Sequence, residues 1–472
     1  MMKKILFAFV LALCFGMSSC IEDGFTTLPS DQPIFSVDTL YMGAIFTEEV
    51  STTHRFVVRN RASKSLPISK VSLSGANAGL FRLNIDGFSG TEFSDVEIRA
   101  NDSIFVFVSV TLPENKQNVP VDVEASLDFL TNGITQSVIL SATGRDVVRL
   151  RAMTLEEDTH FTSDKPYQIF DSLVVNPGVT LTIDPGTELY FHDNALMVVR
   201  GSLKAVGEVE REIEFAGDRT GFVAADIPFD LMSRQWTGLF FTSTSYDNEL
   251  SYCHIRNTVQ GVTVNGSEAE ETPTLTMINS RLRNSGGYGL EVYHADINAY
   301  GCEIAEAANG AVLLYGGKHV FNHCTLANYY LFSALGGPIL QLGHVKVDEI
   351  MEEDANRPLL AAEISNTIIY GIGNDISHGD LTGTNVFLRN CLLKCEGADD
   401  DNFIACVWAT DPLFYTIREE YIFDYRLHDE SPAIAAADYA LTLEQSMTDR
   451  YGLPRGQAPD IGAYVYVPEE KE

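Results

Sequence analysis

The chain has 472 residues, of which 45% are hydrophobic and 10% aromatic, so it can bury a large core and is not an intrinsically disordered chain. Its formal net charge is −33. Because phosphate groups are negative, so acidic a chain should repel nucleic acid, and we expect no nucleic-acid partner.

The first nineteen residues have the pattern of a secretory signal peptide. Two lysines come first, residues 5–16 are almost wholly apolar, and two serines precede Cys20. Twelve apolar residues in a helix span about 18 Å, less than the roughly 30 Å hydrocarbon core of a bilayer, which disfavours a transmembrane anchor. We therefore assign residues 1–19 to a signal peptide and residues 20–32 to a tether.

The sequence Met-Ser-Ser-Cys that ends at Cys20 resembles a bacterial lipobox. The acidic Glu22 and Asp23 resemble the export signal of Bacteroidetes-type surface lipoproteins. This resemblance implies a diacylglycerol on Cys20 and a protein anchored in the outer membrane that faces the cell exterior. Each buried CH₂ contributes about 0.8 kcal/mol, so several acyl chains would anchor the protein stably.

Residues 33–146 contain runs of β-branched and aromatic residues with a period of two, separated by turn residues. The runs are HRFVVRN (54–60), SIFVFVSV (103–110), VDVEASLDFL (121–130) and TQSVILSA (135–142). Several such strands within about 110 residues indicate an antiparallel β-sandwich. Their order resembles the Ig-like modules of the Hydin-like and choice-of-anchor types, which implies a spacer or docking domain.

A repeat follows in the second half of the chain. It comprises LSYCHIRN (250–257), MINSRLRN (277–284), AYGCEIAE (299–306), FNHCTLAN (321–328), ISNTIIYG (364–371) and LRNCLLKC (388–395). The small residues at its fixed position are spaced 27, 22, 22, 43 and 24 apart. A period near 22 built from short strands is typical of a parallel β-helix. The interval of 43 leaves two alternatives, two coils or one coil carrying the acidic insert 347–358.

Stacked coils place like residues over like, so the fixed position predicts an internal ladder of small side chains. Cys253 is then a buried small residue rather than a nucleophile or a metal ligand. Cys302 and Cys324 occupy adjacent coils, but stacked parallel side chains have poor disulfide geometry, which favours free thiols. Cys391 and Cys395 lack the second pair that a zinc site needs.

Residues 171–215 resemble the opening coils of bacterial right-handed β-helix proteins, and residues 411–414, 424–438 and 459–464 resemble their closing segments. The resemblance covers about residues 150–467 and implies the fold of the pectate-lyase-like superfamily. We expect an all-β protein, with an Ig-like β-sandwich at 33–146 followed by a right-handed parallel β-helix at 147–467, in which 411–467 close the coil. This fold hosts lyases, hydrolases, adhesins and stalks, so it does not define a function.

Alternation around the inward Cys253 predicts that His254 and Arg256 point outward, followed one coil later by Arg281 and Arg283. Such a basic row on an acidic chain is a candidate site for an acidic glycan.

Two alternatives accompany this basic row. Each arginine could instead pair with a nearby carboxylate such as Glu249 or Glu303. A second outward row, Tyr293 and Tyr315, offers either a stacking surface for sugar rings or a ladder that only stabilises the coil.

Enzyme motifs are scarce in this sequence. Asp399, Asp400 and Asp401 form an acidic run that we place in a solvated loop, and the triplet that begins at His378 only faintly resembles a polygalacturonase motif. An acidic chain can bind calcium, but no local pattern supports such a site, so we expect no cofactor.

These patterns predict a non-catalytic surface lipoprotein. It would bind a glycan, or a partner in an outer-membrane transporter complex for uptake. One alternative is a polysaccharide lyase or hydrolase that acts on an acidic glycan through the basic row. The other is a structural stalk or adhesin.

The lipid anchor is directly testable. The Cys20→Ala variant removes the thiol that would carry the lipid, so we expect it to lose fatty-acid labelling and to leave the membrane fraction. Metabolic labelling with a fatty-acid probe measures this, with Cys14→Ala as the control because Cys14 lies inside the apolar stretch of the signal. Equal labelling of wild type and Cys20→Ala would contradict the assignment.

Overall fold

The computed structural model describes residues 24–219, 221–224, 227–266, 272–343 and 359–468. The signal peptide, Cys20 and the two acidic residues after it lie outside the described residues, as does the insert 347–358. The chain divides into two compact units, residues 1–146 and 147–472.

The described residues are all-β, with short 3₁₀ turns and no α-helix. These turns are Ala78–Leu80, Phe229–Leu231, Glu419–Tyr421, Tyr439–Leu441 and Glu444–Ser446. Within the same residues, no helix has the length and apolar character needed to cross a membrane.

The first unit contains two five-stranded sheets. In spatial order, one sheet consists of Ile34–Phe35, His54–Arg59, Ser103–Val110, Phe81–Ile85 and Phe88–Gly90. The other consists of Thr39–Phe46, Ile134–Arg145, Val121–Thr131, Leu66–Ser74 and Glu92–Ile98. Neighbouring strands are antiparallel, except that Thr39–Phe46 runs parallel to Ile134–Arg145.

One hydrophobic core joins these two sheets. Phe56 and Val106 from the first sheet and Leu127, Phe129 and Leu140 from the second are all buried in it. Successive side chains of a strand point to opposite faces, so the period-two runs place every second residue in this core. The four strands that the sequence predicted are confirmed as strands.

The second unit is built from parallel strands on three faces, which fits a parallel β-helix. Face A contains Thr159–Phe161, Thr180–Ile183, Ser202–Val206, Asn248–Ser251, Leu275–Ile278, Ile297–Tyr300, Gly317–Asn322, Leu359–Ser365, Val386–Arg389 and Phe403–Ile404. Face B contains Glu188–Phe191, Ile213–Gly217, Cys253–Arg256, Arg281–Arg283, Glu303–Ala305, Thr325–Asn328, Ile368–Gly371 and Leu392–Leu393. Face C contains Leu196–Val199, Gly238–Phe241, Val262–Asn265, Tyr288–Tyr293, Gly310–Tyr315, Leu340–Gly343 and Ile376–Ser377.

Faces B and C begin from the paired strands Val148–Leu155 and Tyr167–Val175. The second of these strands pairs at its start with Glu188–Phe191 and at its end with Leu196–Val199. The second unit also contains two antiparallel hairpins, Phe222–Ala224 with Ile227–Pro228 and Phe414–Ile417 with Phe423–Leu427.

The repeat stacks in register. Aliphatic side chains pair coil over coil on the inner side of face B, in the order Ile255, Leu282, Ile304, Leu326, Ile369 and Leu393. Thr325 pairs directly with Ile368, so the interval of 43 residues is one coil that carries an insertion. The small ladder points inward as predicted, since Cys253, Cys302 and Cys324 are buried free thiols.

A left-handed residue precedes each small residue of the ladder and turns the chain from face A to face B. These residues have positive φ and are Tyr252, Asn279, Gly301, His323, Asn366 and Asn390. Asparagine and glycine adopt this conformation more readily than other residues, which explains their recurrence. Gly301 is further constrained, because a Cβ there would lie 2.2 Å from the Asn279 Oδ1 atom.

The C-terminal segment, residues 411–467, lies along the outside of face B. Outward Ala305, Ala327 and Ile368 share a hydrophobic cluster with Tyr425 and Ile461 of this segment.

Asparagines at or next to these corners also bind the C-terminal segment. The Nδ2 groups of Asn322 and Asn366 donate to the carbonyl oxygens of Leu441 and Asp438 at 2.8 and 2.9 Å. The segment therefore covers a lateral face of the coil, and polar as well as apolar contacts hold it there.

Thiol reactivity tests the inward register. Burial raises the pKa of the Cys253 thiol well above its usual range and shields the sulfur, whereas Cys395 and Cys406 are only partly buried. We expect a thiol reagent to modify Cys395 and Cys406 first and Cys253 only after unfolding, as followed by mass spectrometry. Cys253→Ala should cost about 1 kcal/mol of stability, and Cys253→Arg should prevent folding because it buries an unpaired charge. Rapid native labelling of Cys253 would contradict the register.

Candidate functional site

Face B brings the four predicted basic residues together on its outer side. His254 pairs in register with Arg281, and Arg256 pairs with Arg283. Their side chains are 14%, 21%, 16% and 17% exposed, respectively, so the row is largely covered.

Carboxylates from neighbouring segments compensate the charge of the first coil of this row. Glu214 lies beside His254 in the preceding coil and accepts from its Nδ1 atom at 3.0 Å. The same carboxylate accepts from Arg256, whose Nη1 atom also donates to Asp230 at 2.7 Å. Burial by itself raises the pKa of Glu214, but His254 and Arg256 outweigh it and lower that pKa to about 2. The carboxylate is therefore ionised at neutral pH.

The second coil of the row is compensated in the same way. Arg281 donates to Glu212 Oε2 at 2.8 Å, and Glu212 also pairs with Arg450 of the C-terminal segment. Arg283 donates to the fully buried Glu303. The arginine–carboxylate pairing that the sequence offered as an alternative is thus present at Glu303.

Glu249, the other carboxylate suggested as a partner, lies elsewhere on the coil. It accepts from the Ser251 hydroxyl at 2.8 Å on face A.

Two tyrosines of the C-terminal segment complete this buried network. Tyr464 donates its hydroxyl to Glu303, and Tyr425 donates to Glu306. The Arg283 guanidinium lies 5.5 Å from the centre of the Tyr425 ring. Burial raises the pKa of Glu306 to about 7, although Arg283 and Tyr425 oppose the shift. The basic row is therefore part of the contact between coil and C-terminal segment.

The second predicted row, on face C, has a different environment. Tyr293 and Tyr315 pair in register, with ring centres 5.8 Å apart and planes at 54°. The Tyr293 hydroxyl donates to Glu291 at 2.6 Å, and Gln341 Nε2 donates to the Tyr315 hydroxyl at 2.9 Å. Both rings are partly exposed on the outer side of the face.

Tyr288 extends this surface, since its hydroxyl donates to Gln341 Oε1 at 3.0 Å. We call Tyr288, Glu291, Tyr293, Tyr315 and Gln341 the tyrosine face. The sequence analysis missed three of its members. Glu291 was detectable because it lies two residues before Tyr293 and so shares its outward side, whereas the irregular spacing of Gln341 concealed its position.

The remaining acidic motif has a structural role. Asp399 accepts from the backbone of Ala405 and Cys406 at 2.7 and 3.1 Å, and from the Trp408 indole at 3.0 Å. Asp400 accepts from the backbone N–H of Asn402 and Phe403, at 2.7 Å each. These carboxylates stabilise a turn.

The faint His378 motif shows no catalytic arrangement, since His378 contacts the carbonyl of Gly379 and the ring of Phe403. In the part of the chain that the structure describes, no group of three or more His, Cys, Asp or Glu residues could hold a metal ion.

No protein-family model and no curated protein matches this chain. Three solved structures show local similarity. The first, a Porphyromonas gingivalis protein of unknown function, is 15% identical over 27% of this chain and 60% of that chain, with a TM-score of 0.18. The second, a family 123 glycoside hydrolase from Clostridium perfringens, is 11% identical over 26% of this chain and 25% of that chain, with a TM-score of 0.19. The third, a PapD-like domain of human CEP192, is 9% identical over 26% of this chain and 89% of that chain, with a TM-score of 0.18. This chain spans less than two thirds of the first two structures, and such low TM-scores assign it neither fold nor function.

The pKa of Glu306 generates a prediction about pH and stability. The folded carboxyl titrates at about 7 and the ordinary value is 4.5, so the unfolded chain loses this proton first as the pH rises. The contribution of Glu306 to the free energy of unfolding therefore decreases as the pH rises from 4.5 to about 7, and it is constant at higher pH. We expect Glu306→Gln to gain stability relative to wild type across this window, as measured by urea unfolding at a series of pH values.

Glu303→Gln is the matched control for that experiment. Burial raises the pKa of Glu303, but Arg283 outweighs burial and lowers it overall. The stability that ionised Glu303 contributes is present above its ordinary value of 4.5 and is lost as the pH falls through the lower folded value. Glu303→Gln should therefore be less stable than wild type at neutral pH, and the deficit should shrink in acid. A pH-independent difference for Glu306→Gln would contradict its raised pKa.

Proposed function

We propose that this protein is a non-catalytic cell-surface lipoprotein whose second unit binds a glycan on the tyrosine face. The observation that carries the proposal is the pair of partly exposed rings, Tyr293 and Tyr315, on adjacent coils 5.8 Å apart. Aromatic rings contact the apolar faces of sugars, and nearby polar groups bind sugar hydroxyls. Glu291 and Gln341 supply an acceptor and an amide beside these rings.

The charges on the two rows favour a neutral glycan over an acidic one. Arg281 and Arg283 already bind carboxylates, and the tyrosine face itself includes Glu291. A lyase that acts on acidic glycans needs a basic group available to its substrate, and the pairing of these arginines gives that alternative no support. The stalk or adhesin alternative requires no ligand on the tyrosine face.

The proposal places the protein on the outer membrane, anchored through lipid on Cys20 and facing the cell exterior. We infer that the first unit is an Ig-like β-sandwich acting as a spacer, supported by two sheets on one core and by the resemblance in sequence. We also infer that the β-helix is right-handed, because its opening coils resemble those of right-handed β-helix proteins. The proposed partner is a polysaccharide, and an outer-membrane transporter complex is the alternative partner.

Substitution of the two rings tests the site. We expect Tyr293→Ala with Tyr315→Ala to weaken binding of a neutral oligosaccharide at least about tenfold, because both stacking contacts are lost. Calorimetry on the soluble chain without residues 1–20, against a panel of neutral and uronic-acid oligosaccharides, measures this. Tyr246→Ala is the matched control, since Tyr246 is a 44% exposed tyrosine of the same unit.

Each other outcome selects a different function. Binding of a uronic-acid oligosaccharide that weakens with salt and with Arg281→Ala would place the ligand on the basic row. A rise in absorbance from an unsaturated product would indicate a lyase. No binding by any member of the panel would leave the stalk as the better account.

A further inference from the structure

A cavity of about 330 Å³ lies within the C-terminal segment, apart from the residues of the tyrosine face. Its polar and aromatic lining comprises Tyr415, Arg426, His428, Asp429, Tyr451 and Tyr466. Tyr415 and Tyr451 are 47% and 49% exposed, and the Arg450 guanidinium lies 5.2 Å from the centre of the Tyr451 ring. A ligand would therefore contact the parts of the two rings that neighbouring arginines leave exposed. A volume of this size lies at the lower end of the range for ligand pockets, which suits a small molecule better than a long chain.

One buried carboxylate fixes the wall of this cavity. Asp449 is fully buried, and its Oδ1 atom accepts from the backbone N–H of Tyr451 and Leu453, at 2.9 Å each. Its Oδ2 atom accepts from the backbone N–H of Val465 at 3.0 Å. Two separate stretches of the lining are thus held by a single side chain. A pocket organised in advance loses less conformational entropy when it binds a ligand.

Arg426 and Asp429 in the lining already have hydrogen-bond partners. The Arg426 Nε atom donates to both carboxylate oxygens of Asp424, at 3.0 and 2.9 Å, and the guanidinium lies 5.3 Å from the centre of the Tyr415 ring. The Tyr466 hydroxyl donates to Asp429 Oδ1 at 2.8 Å. An anionic ligand would therefore compete with Asp424 for Arg426, whereas a neutral polyol could use these groups without displacing a charge.

We propose that this cavity is a second binding site, specific for a neutral mono- or disaccharide. The Tyr415 and Tyr451 rings contact the apolar side of the sugar, and Arg426 and Asp429 bind its hydroxyls. The site uses none of the residues of the tyrosine face, so it stands independently of the function proposed above.

The test uses the soluble chain without residues 1–20 and saturation-transfer NMR with glucose, galactose, mannose, N-acetylglucosamine, cellobiose and lactose, together with galacturonate as the anionic comparison. We expect at least one neutral sugar to bind. Tyr451→Ala should weaken that binding by about tenfold or more, and Tyr293→Ala with Tyr315→Ala should leave it unchanged. The converse pattern, with loss only in the tyrosine-face variant, would assign the sugar to that face and overturn the second site.

A second variant guards against misfolding of Tyr451→Ala. Val467 lines the cavity and is 61% exposed, so Val467→Trp should obstruct the cavity without disturbing the core. We expect it to abolish sugar binding while its thermal unfolding stays that of wild type. Undiminished binding in Val467→Trp, tighter binding of galacturonate than of every neutral sugar, or no signal from any sugar overturns the proposal.

Discussion

The in-register stacking of parallel strands is the constraint on which the second unit depends. Hydrogen bonds hold neighbouring strands about 4.8 Å apart, so each side chain must accept the residue above and below it as a neighbour. Inside the coil this requirement is met by aliphatic residues stacked over one another and by small residues at each corner. Outside, the same register forces Glu214, His254, Arg281 and Glu303 into one column. The two basic residues of this column therefore lie between two acidic ones.

The position of the C-terminal segment follows from the apolar outward residues of face B that this column leaves uncovered. Beyond Arg283 the outward positions of face B include the apolar Ala305, Ala327 and Ile368, which water would otherwise contact. The segment buries them, and Tyr425 and Tyr464 reach the carboxylates beside Arg283. The desolvation of buried ions offsets much of their attraction, so the apolar contacts supply most of the stabilisation. Removing one ionic partner is a different matter and costs about 3–5 kcal/mol, because a buried charge is then left unpaired.

The two candidate rows differ in how their polar groups are paired. Arginine heads are satisfied most fully by carboxylates, and on face B those carboxylates belong to the protein itself. A tyrosine hydroxyl needs only one hydrogen-bond partner. Tyr293 donates to Glu291 and Tyr315 accepts from Gln341, and both rings remain partly exposed. A row of aromatic residues can therefore be both a stable part of the coil and a surface for a ligand, whereas a buried ion-pair network is committed to the fold.

The sequence by itself determined the periodic features of this protein. Alternation identified the strands of the first unit, and the repeat identified both the inward Cys253 and the outward orientation of Arg281 and Tyr293, because a strand has a fixed period of two. Tertiary structure decided what the sequence could not. It made the interval of 43 residues one coil. It also brought Arg283 next to Tyr425, and it paired Glu212 with both Arg281 and Arg450. Such contacts join residues 69 positions apart (Arg281 and Glu212), 142 apart (Arg283 and Tyr425) and 238 apart (Glu212 and Arg450). Those made by Tyr425 and Arg450 depend on the path of the C-terminal segment over face B, which no local period encodes.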